Sequence, residues 1–308
     1  MSQIESMRVL VSVVDAGSLS AASRKLGMPL ATVSRRISQL ESHLKAPLLI
    51  RSTRQLKLTD AGSAYVGACR RILDDIHEAE RTAAGEYGAP RGEVIVTAPF
   101  VFGRLHVLPV LCEFLHAFPE VDVRFALGDR PVNLLEDQIH AAVRIGVLPD
   151  SGLIATSLGA VRRVVCASPE YLARHGRPSH PSVIAAHQCV GFELFATANS
   201  WSFDIDGNEV RVPFRPRLVV NTAEAAIDAV IAGVGLTSVL SYQVESAVRA
   251  RQLEIVLQEF EPRALPVTVL YSDQGRLPLK LRALLDFAAP RLRARLREIE
   301  AAFVTPNK

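Results

Sequence analysis

From Ser18 to Lys45 the chain reads SLSAASRKLGMPLATVSRRISQLESHLK. Ser18 is a helix cap, and Leu19, Ala22 and Leu26 then fall on one side of a short helix over 19–26. Gly27 suits the left-handed residue that ends a helix, and Pro29 suits the first turn of the next. In that next helix, which runs to about Lys45, Val33, Ile37, Leu40 and Leu44 face inward. Thr32, Arg35, Arg36 and Gln39 share the opposite, polar face. Two short helices joined by a tight turn, the second with a basic outer face, fit a helix-turn-helix that lays its second helix in the major groove of DNA.

The flanking sequence extends the pattern. A helix over about Ile4–Asp15 carries the stripe Met7, Leu10, Val11 and Val14, and Gly17 breaks it. Downstream, Leu48–Ile50 reads as a strand, RSTRQ as a basic turn and Leu56–Leu58 as a return strand, which together make a wing. Residues 1–58 hold nine basic side chains against three acidic ones, whereas the whole chain carries +3. The positive field is therefore confined to one end, as phosphate binding requires. The expected DNA contacts are Ser18, Ala31, Thr32, Ser34, Arg35, Arg36 and Gln39, with Arg51, Arg54 and Lys57 from the wing, to double-stranded DNA bearing paired half-sites.

The chain resembles the LysR-type transcriptional regulators. The resemblance rests on Gly17-Ser18-Leu19-Ser20-Ala21-Ala22, Leu26, Val33-Ser34-Arg35, Ile37, Leu40-Glu41, Leu44, Pro47-Leu48, Arg51, Leu58-Thr59 and Ala61-Gly62. It continues more weakly through Phe118-Pro119, Ala142-Val143-Arg144, Ala167-Ser168-Pro169, Tyr171-Leu172 and Gly233-Val234-Gly235. Three positions depart from the family pattern. Pro29-Leu30 stands where a serine–glutamine pair often opens the recognition helix, Leu49-Ile50 where an aromatic is usual, and His140 where an aspartate precedes the Ala-Val-Arg strand. Leu30 can at most touch a thymine methyl.

After Thr59, which can cap it, a long helix is expected to run to about Gly85. Tyr65, Cys69, Ile72, Ile76, Ala79 and Ala83 recur at heptad spacing among charged residues, which predicts a dimerisation seam. Residues 85–92 read as a hinge. Two winged modules side by side would bind two half-sites. The alternative for this helix is packing against its own C-terminal domain.

From Glu93 short apolar strands alternate with helices, a pattern that argues for parallel sheet. Strands are expected at Val94–Val96, Val121–Phe125, Ala141–Ile145, Val164–Cys166 and Pro266–Tyr271. Helices are expected at about Leu105–Ala117, near Leu134-Leu135, at Pro169–His175, at Ala223–Ala232 and after Pro278. The resemblance implies two lobes like those of periplasmic solute-binding proteins, with the chain returning to the first lobe after about residue 267. Ligands of such sheets bind at strand C-terminal ends. The candidate effector contacts are Thr97, Pro99, Phe100, Val101, Phe102, Arg144 and Gly146 on one side and Phe195, Trp201, Asn221 and Thr222 on the other. They suit a small anionic or aromatic molecule.

The expected fold is thus α/β with an all-α winged helix-turn-helix in front. It divides into a DNA-binding domain at 1–58, a linker helix and hinge at 59–91, and an effector domain at 92–300. Lobe I would take 92–162 and 267–300, and lobe II 163–266. A chain of 308 residues with 49% hydrophobic content can fill such cores. No uncharged run approaches 18 apolar residues and the N-terminus is not signal-like, so a cytoplasmic protein with no membrane contact is expected. No GxSxG, metal-type His pair or P-loop appears, so neither an enzyme nor a cofactor is expected. Self-association as a dimer follows from the seam. The resemblance implies a tetramer, and RNA polymerase would be a partner of an activator. Two other readings stay open: a redox-responsive regulator using Cys166 and Cys189, and an enzyme or carrier with a DNA-binding appendage.

Overall fold

The computed structural model describes residues 2–51, 56–83, 89–130, 133, 134, 137, 139–148, 152–192, 199–272 and 277–303. Its contacts form two compact bodies. One is Met1–Pro90 with Val132–Ile139, and the other is Arg91–Pro131 with His140–Lys308.

The first body opens with α1 (Gln3–Asp15), α2 (Leu19–Leu26) and α3 (Leu30–Leu44). The Ser18 hydroxyl accepts from the Ala21 N–H at 3.1 Å and so caps α2. Gly27 ends α2 at φ +63, a conformation that costs a side chain about 1 kcal/mol. Pro29 sits one place earlier than expected, as the residue before α3, where its carbonyl accepts from Thr32 and Val33. Strands β1 (Leu49–Arg51) and β2 (Leu56–Leu58) pair antiparallel, and α4 (Asp60–Ala83) follows. Met7, Leu10, Val13, Ala22, Val33, Ile37, Leu40, Leu48, Val66, Cys69 and Leu73 form one core. Two polar ties fix the wing. The Glu41 carboxylate accepts from the N–H groups of Leu48 and Leu49 at 2.8 and 3.1 Å. Thr59 caps α4 through Gly62 and donates to the Pro47 carbonyl. At Gly62 the helix touches the wing so closely that a Cβ would lie 2.0 Å from the Leu48 carbonyl oxygen.

The second body begins with β3 (Gly92–Ala98) and a helical stretch made of α5 (Phe100–Phe102), a π-helical turn (Gly103–Val107) and α6 (Leu108–Ala117). This stretch, Phe100–Ala117, is long and apolar enough to cross a membrane by composition. Its Phe102, Val107, Val110, Leu111 and Phe114 are instead buried in the core. Next come β4 (Val121–Leu127), β5 (Ala141–Ile145), β6 (Ile154–Val161), β7 (Arg163–Ala167), α7 (Pro169–His175) and β8 (Cys189–Phe192). Then follow β9 (Ser200–Ile205), β10 (Asn208–Pro213), β11 (Pro216–Val220), α8 (Ala223–Ile231), β12 (Thr237–Leu240), α9 (Ser241–Arg249), β13 (Glu254–Val256), β14 (Leu265–Tyr271) and α10 (Leu279–Ala301). Of the helix expected near Leu134-Leu135, Leu134 lies in a turn and Leu135 falls outside the described residues.

Two sheets organise this body. The first has the order β4-β3-β5-β14-β6, with β3 parallel to β4 and β5, and β14 antiparallel to β5 and β6. In the second, β12-β7-β13 is antiparallel, β8 pairs parallel with β11, and a bridge from Cys189 to Leu236 joins the two parts. The parallel sheet read from the strand–helix alternation is present in part, in β3 with β4 and β5 and in β8 with β11, but both sheets are mixed. The cause is topological. β7 enters the second sheet from the first lobe, and β14 returns to the first from the second, and each runs against its neighbours. The first lobe holds β3–β6, β14, α5, α6 and α10, and the second holds β7–β13 and α7–α9.

Candidate DNA-binding face and effector pocket

The recognition helix presents its predicted residues unequally. Ala31, Arg35 and Gln39 are exposed, and Thr32 and Ser34 are half-buried. Lys57 is exposed on the wing, Arg51 lies in β1, and Arg54 falls outside the described residues. Arg36 is turned inward. Its guanidinium lies 2.8 Å from Glu5 of α1 and its side chain is 16% exposed, so it holds α3 to α1. Ser18 is likewise engaged as the cap of α2. Leu30, at the start of α3, is 47% exposed.

The expected seam on α4 divides. Cys69 is wholly buried in the core of its own winged module, where burial raises its pKa to about 11. It is therefore not open to a partner. The helix turns Val66, Cys69 and Leu73 toward α1 because those residues recur at helical spacing, three and four apart. The ion pair of Arg70 with Asp15 and the contact of Arg8 with His77 tie α4 to α1. Ile72 is 41% exposed, Tyr65 and Ile76 are half-buried, and the side chains of Ala79 and Ala83 lie outside the described ones.

In the first lobe, the end of β3 leads into α5. Thr97 is buried. Pro99 precedes the helix, Val101 is half-buried, and Phe100 is 55% exposed. The N–H of Phe100, expected to be free for a ligand, donates to the Asp129 carboxylate at 3.1 Å. Phe102 is a core residue, edge-on to Tyr242 at 5.2 Å. Arg144 donates to its neighbouring carbonyl of Val143 at 3.0 Å, while its Nη2 is buried without a hydrogen-bond partner among the described residues. Burial lowers the Arg144 pKa, and the nearby Asp129 charge opposes that shift. Gly146, at φ +111, donates its N–H to the Pro266 carbonyl.

The second lobe carries a cavity of about 400 Å³. Trp201 and Phe214, with ring centres 4.4 Å apart, form an apolar wall. Arg163, Arg211, Asn199, Ser200, Ser202 and Ser238 supply polar groups. Of the described residues expected on this side, only Trp201 lines it. Thr222 caps α8 by accepting from Ala225, Asn221 is exposed, and Phe195 falls outside the described residues. The lining thus joins one aromatic wall to two arginines and several hydroxyl groups. Among the described residues no cluster of His, Cys, Asp and Glu suits a metal ion.

Two family models account for nearly the whole chain. The bacterial regulatory helix-turn-helix protein, lysR family, matches residues 4–63, and the LysR substrate binding domain matches residues 88–293. The chain belongs to the LysR family of transcriptional regulators. Among its relatives, an HTH-type transcriptional regulator of Xanthomonas campestris is 34% identical over 92% of this chain and 84% of its own length. An HTH-type transcriptional repressor of Pseudomonas aeruginosa is 34% identical over 93% of this chain and 91% of its own. The solved structure of CrgA, a LysR-type transcriptional regulator from Neisseria meningitidis, superposes with a TM-score of 0.60 at 30% identity, covering 95% of this chain and 99% of that one.

As a LysR-type regulator the protein binds DNA and a small-molecule effector, forms oligomers, and is not an enzyme. The cysteine chemistry weighs against a thiol switch. Cys166 and Cys189 are wholly buried, free, and raised to about 12 by burial, which keeps the reactive thiolate scarce. Sequence reasoning missed Asp129, Arg163, Arg211 and Tyr242. Asp129 and Arg163 stand beside strand ends, where a charged residue was the available signal. Arg211 gave none because the pairing of its strand was not foreseen, and Tyr242 gave none because its helix was not.

Proposed function

We propose that residues 1–58 read paired half-sites in double-stranded DNA, that 59–91 join two chains as a dimer, and that 92–300 sense the effector. Arg35, Gln39, Ala31, Thr32 and Ser34 meet base edges and phosphates, and Arg51, Arg54 and Lys57 hold the backbone beside the groove. Arg36 and Ser18 position the helix instead. The observation that carries this reading is the exposed Ala31–Arg35–Gln39 face of α3 beside the exposed Lys57 of the wing. The seam is Ile72 and Ile76 with Tyr65, continued by Ala79 and Ala83. Two such dimers make a tetramer, which acts in the cytoplasm and engages RNA polymerase where it activates.

The effector is a small anionic molecule with a ring, held by Trp201, Arg211 and Arg163 on the second lobe and by the Thr97–Phe102 loop and Arg144 on the first. The test is nuclease footprinting by the full-length protein on the DNA upstream of its own gene. Two protected segments about one helical turn or a multiple apart are expected, with affinity falling steeply as salt rises. Binding to no duplex, there or in a random-sequence selection, would overturn the reading.

A further inference from the structure

The two lobes are tied by a charged cluster between α9 and α10. Glu245 of α9, in the second lobe, is a buried carboxylate. Arg295 of α10, in the first lobe, donates to it from Nη2 at 2.6 Å. Arg249, from the same helix as Glu245, pairs with it at 2.9 Å. Arg295 also donates through Nε to Nδ1 of His106 at 3.3 Å and through Nη1 to Glu298 at 3.2 Å. His106 lies in the π-helical turn, a feature that often marks functional places in helices. Because its Nδ1 accepts, the His106 proton sits on Nε2, which is buried and has no hydrogen-bond partner among the described residues. Its ring meets Phe102 of its own lobe and Tyr242 of the other, at 5.1 and 5.6 Å.

We propose that Glu245, Arg295 and His106 form a latch that fixes the angle between the lobes, so that an effector which changes that angle must work against this cluster. The other ties between lobes are weaker or differently placed. Arg104 meets Glu224 at 3.5 Å, but both side chains are about half exposed and their attraction is screened. Arg162 and Glu261, 3.4 Å apart, join the two crossing segments to each other, so they do not oppose rotation about them. Ring contacts slide at little cost. A buried carboxylate drawn away from one of its two arginines does not, because Glu245 then keeps Arg249 alone and a buried charge that loses a partner is costly. The cluster therefore resists a change of angle between the lobes, as an element that couples a ligand site to the rest of a protein must.

The test needs neither effector nor DNA, so its failure is distinct from a failure of the effector reading. Spin labels are placed on the native exposed Cys112 of α6 and, through Ala173→Cys, on α7 of the second lobe. Doubly labelled full-length chain is diluted with unlabelled chain, so that only distances within one chain contribute. The parent should give one narrow distance distribution. Glu245→Gln and Arg295→Met should each add a second population of roughly 10% or more. Arg249→Met removes a charge from the same carboxylate without crossing the lobe boundary, and should leave the single population. If Glu245→Gln does not fold, Arg295→Met carries the test alone. One unchanged distribution in both latch variants, or equal broadening in Arg249→Met, would overturn the proposal.

Discussion

At the scale of single residues, contacts that leave no trace in local pattern decide the most. Gly62 lies inside a helix, where glycine is a poor helix former. Its place follows from the Leu48 carbonyl, which would stand 2.0 Å from any Cβ. Gly62→Ala must push the wing from α4. We expect it to cost about 1–3 kcal/mol in urea unfolding, where the propensity change alone would stabilise. His106 gives a pH signature. Burial, and then the charge of Arg295, depress it from 6.5 to about 4. Between those values the unfolded chain binds a proton that the folded chain refuses. This group's contribution is therefore complete above about pH 6.5 and lost as the pH falls toward 4, by up to about 3 kcal/mol. His106→Gln keeps an acceptor for Arg295 and does not titrate. Its urea midpoint should fall less between pH 7 and pH 4.5 than that of the parent, and parallel curves would refute the assignment.

Among the elements, the helix-turn-helix was legible because the cap and terminating glycine of α2 and the inward stripe of α3 are all local signals. What local signals do not specify is which arginine faces outward. Arg35 and Arg36 are neighbours in sequence, yet Glu5 on another helix takes Arg36. Arg35→Ala should weaken binding of the preferred duplex by about 1–3 kcal/mol. Arg36→Ala should mainly lower the melting temperature of the winged module. A mobility-shift titration run beside a thermal melt separates the two. Equal losses of affinity with unchanged melting would reverse the roles. α4 teaches the same lesson. Its heptad period is real, but the first turns spend part of the apolar stripe on α1, which removes Cys69 from the seam and leaves Ile72. Ile72→Glu should leave the fold intact and lower the dimer fraction in sedimentation, since it places a charge in each copy of the interface. An unchanged dimer at micromolar concentration would show that the chains meet elsewhere.

For the whole molecule, the sequence conveyed the alternation of strands and helices, and the family resemblance implied two lobes. The direction of β7 and β14, the strand β6, and the run from Thr237 to Arg249 were not legible, because long-range pairing fixes them. The pocket suffered likewise. Trp201 was found by its rarity, whereas Arg211 reaches the cavity only because β10 folds back on β9. Arg211→Ala should weaken calorimetric binding of a benzoate-type probe to the full-length protein about tenfold, the loss of one charge-assisted contact of about 1.5 kcal/mol, without altering DNA affinity in the absence of probe. Equal binding by both proteins would remove Arg211 from the site. The exchanged strands also bear on how the protein is made. β14 fills the gap between β5 and β6, yet it lies about a hundred residues downstream of β6. On the ribosome the first sheet must therefore wait roughly 5–20 seconds, incomplete, while the second lobe is translated. During that interval β5 and β6 expose unpaired edges, and a chain stopped before Leu265 keeps them for good. Such a fragment should aggregate or be held by chaperones, although every helix of its DNA-reading end is already in place.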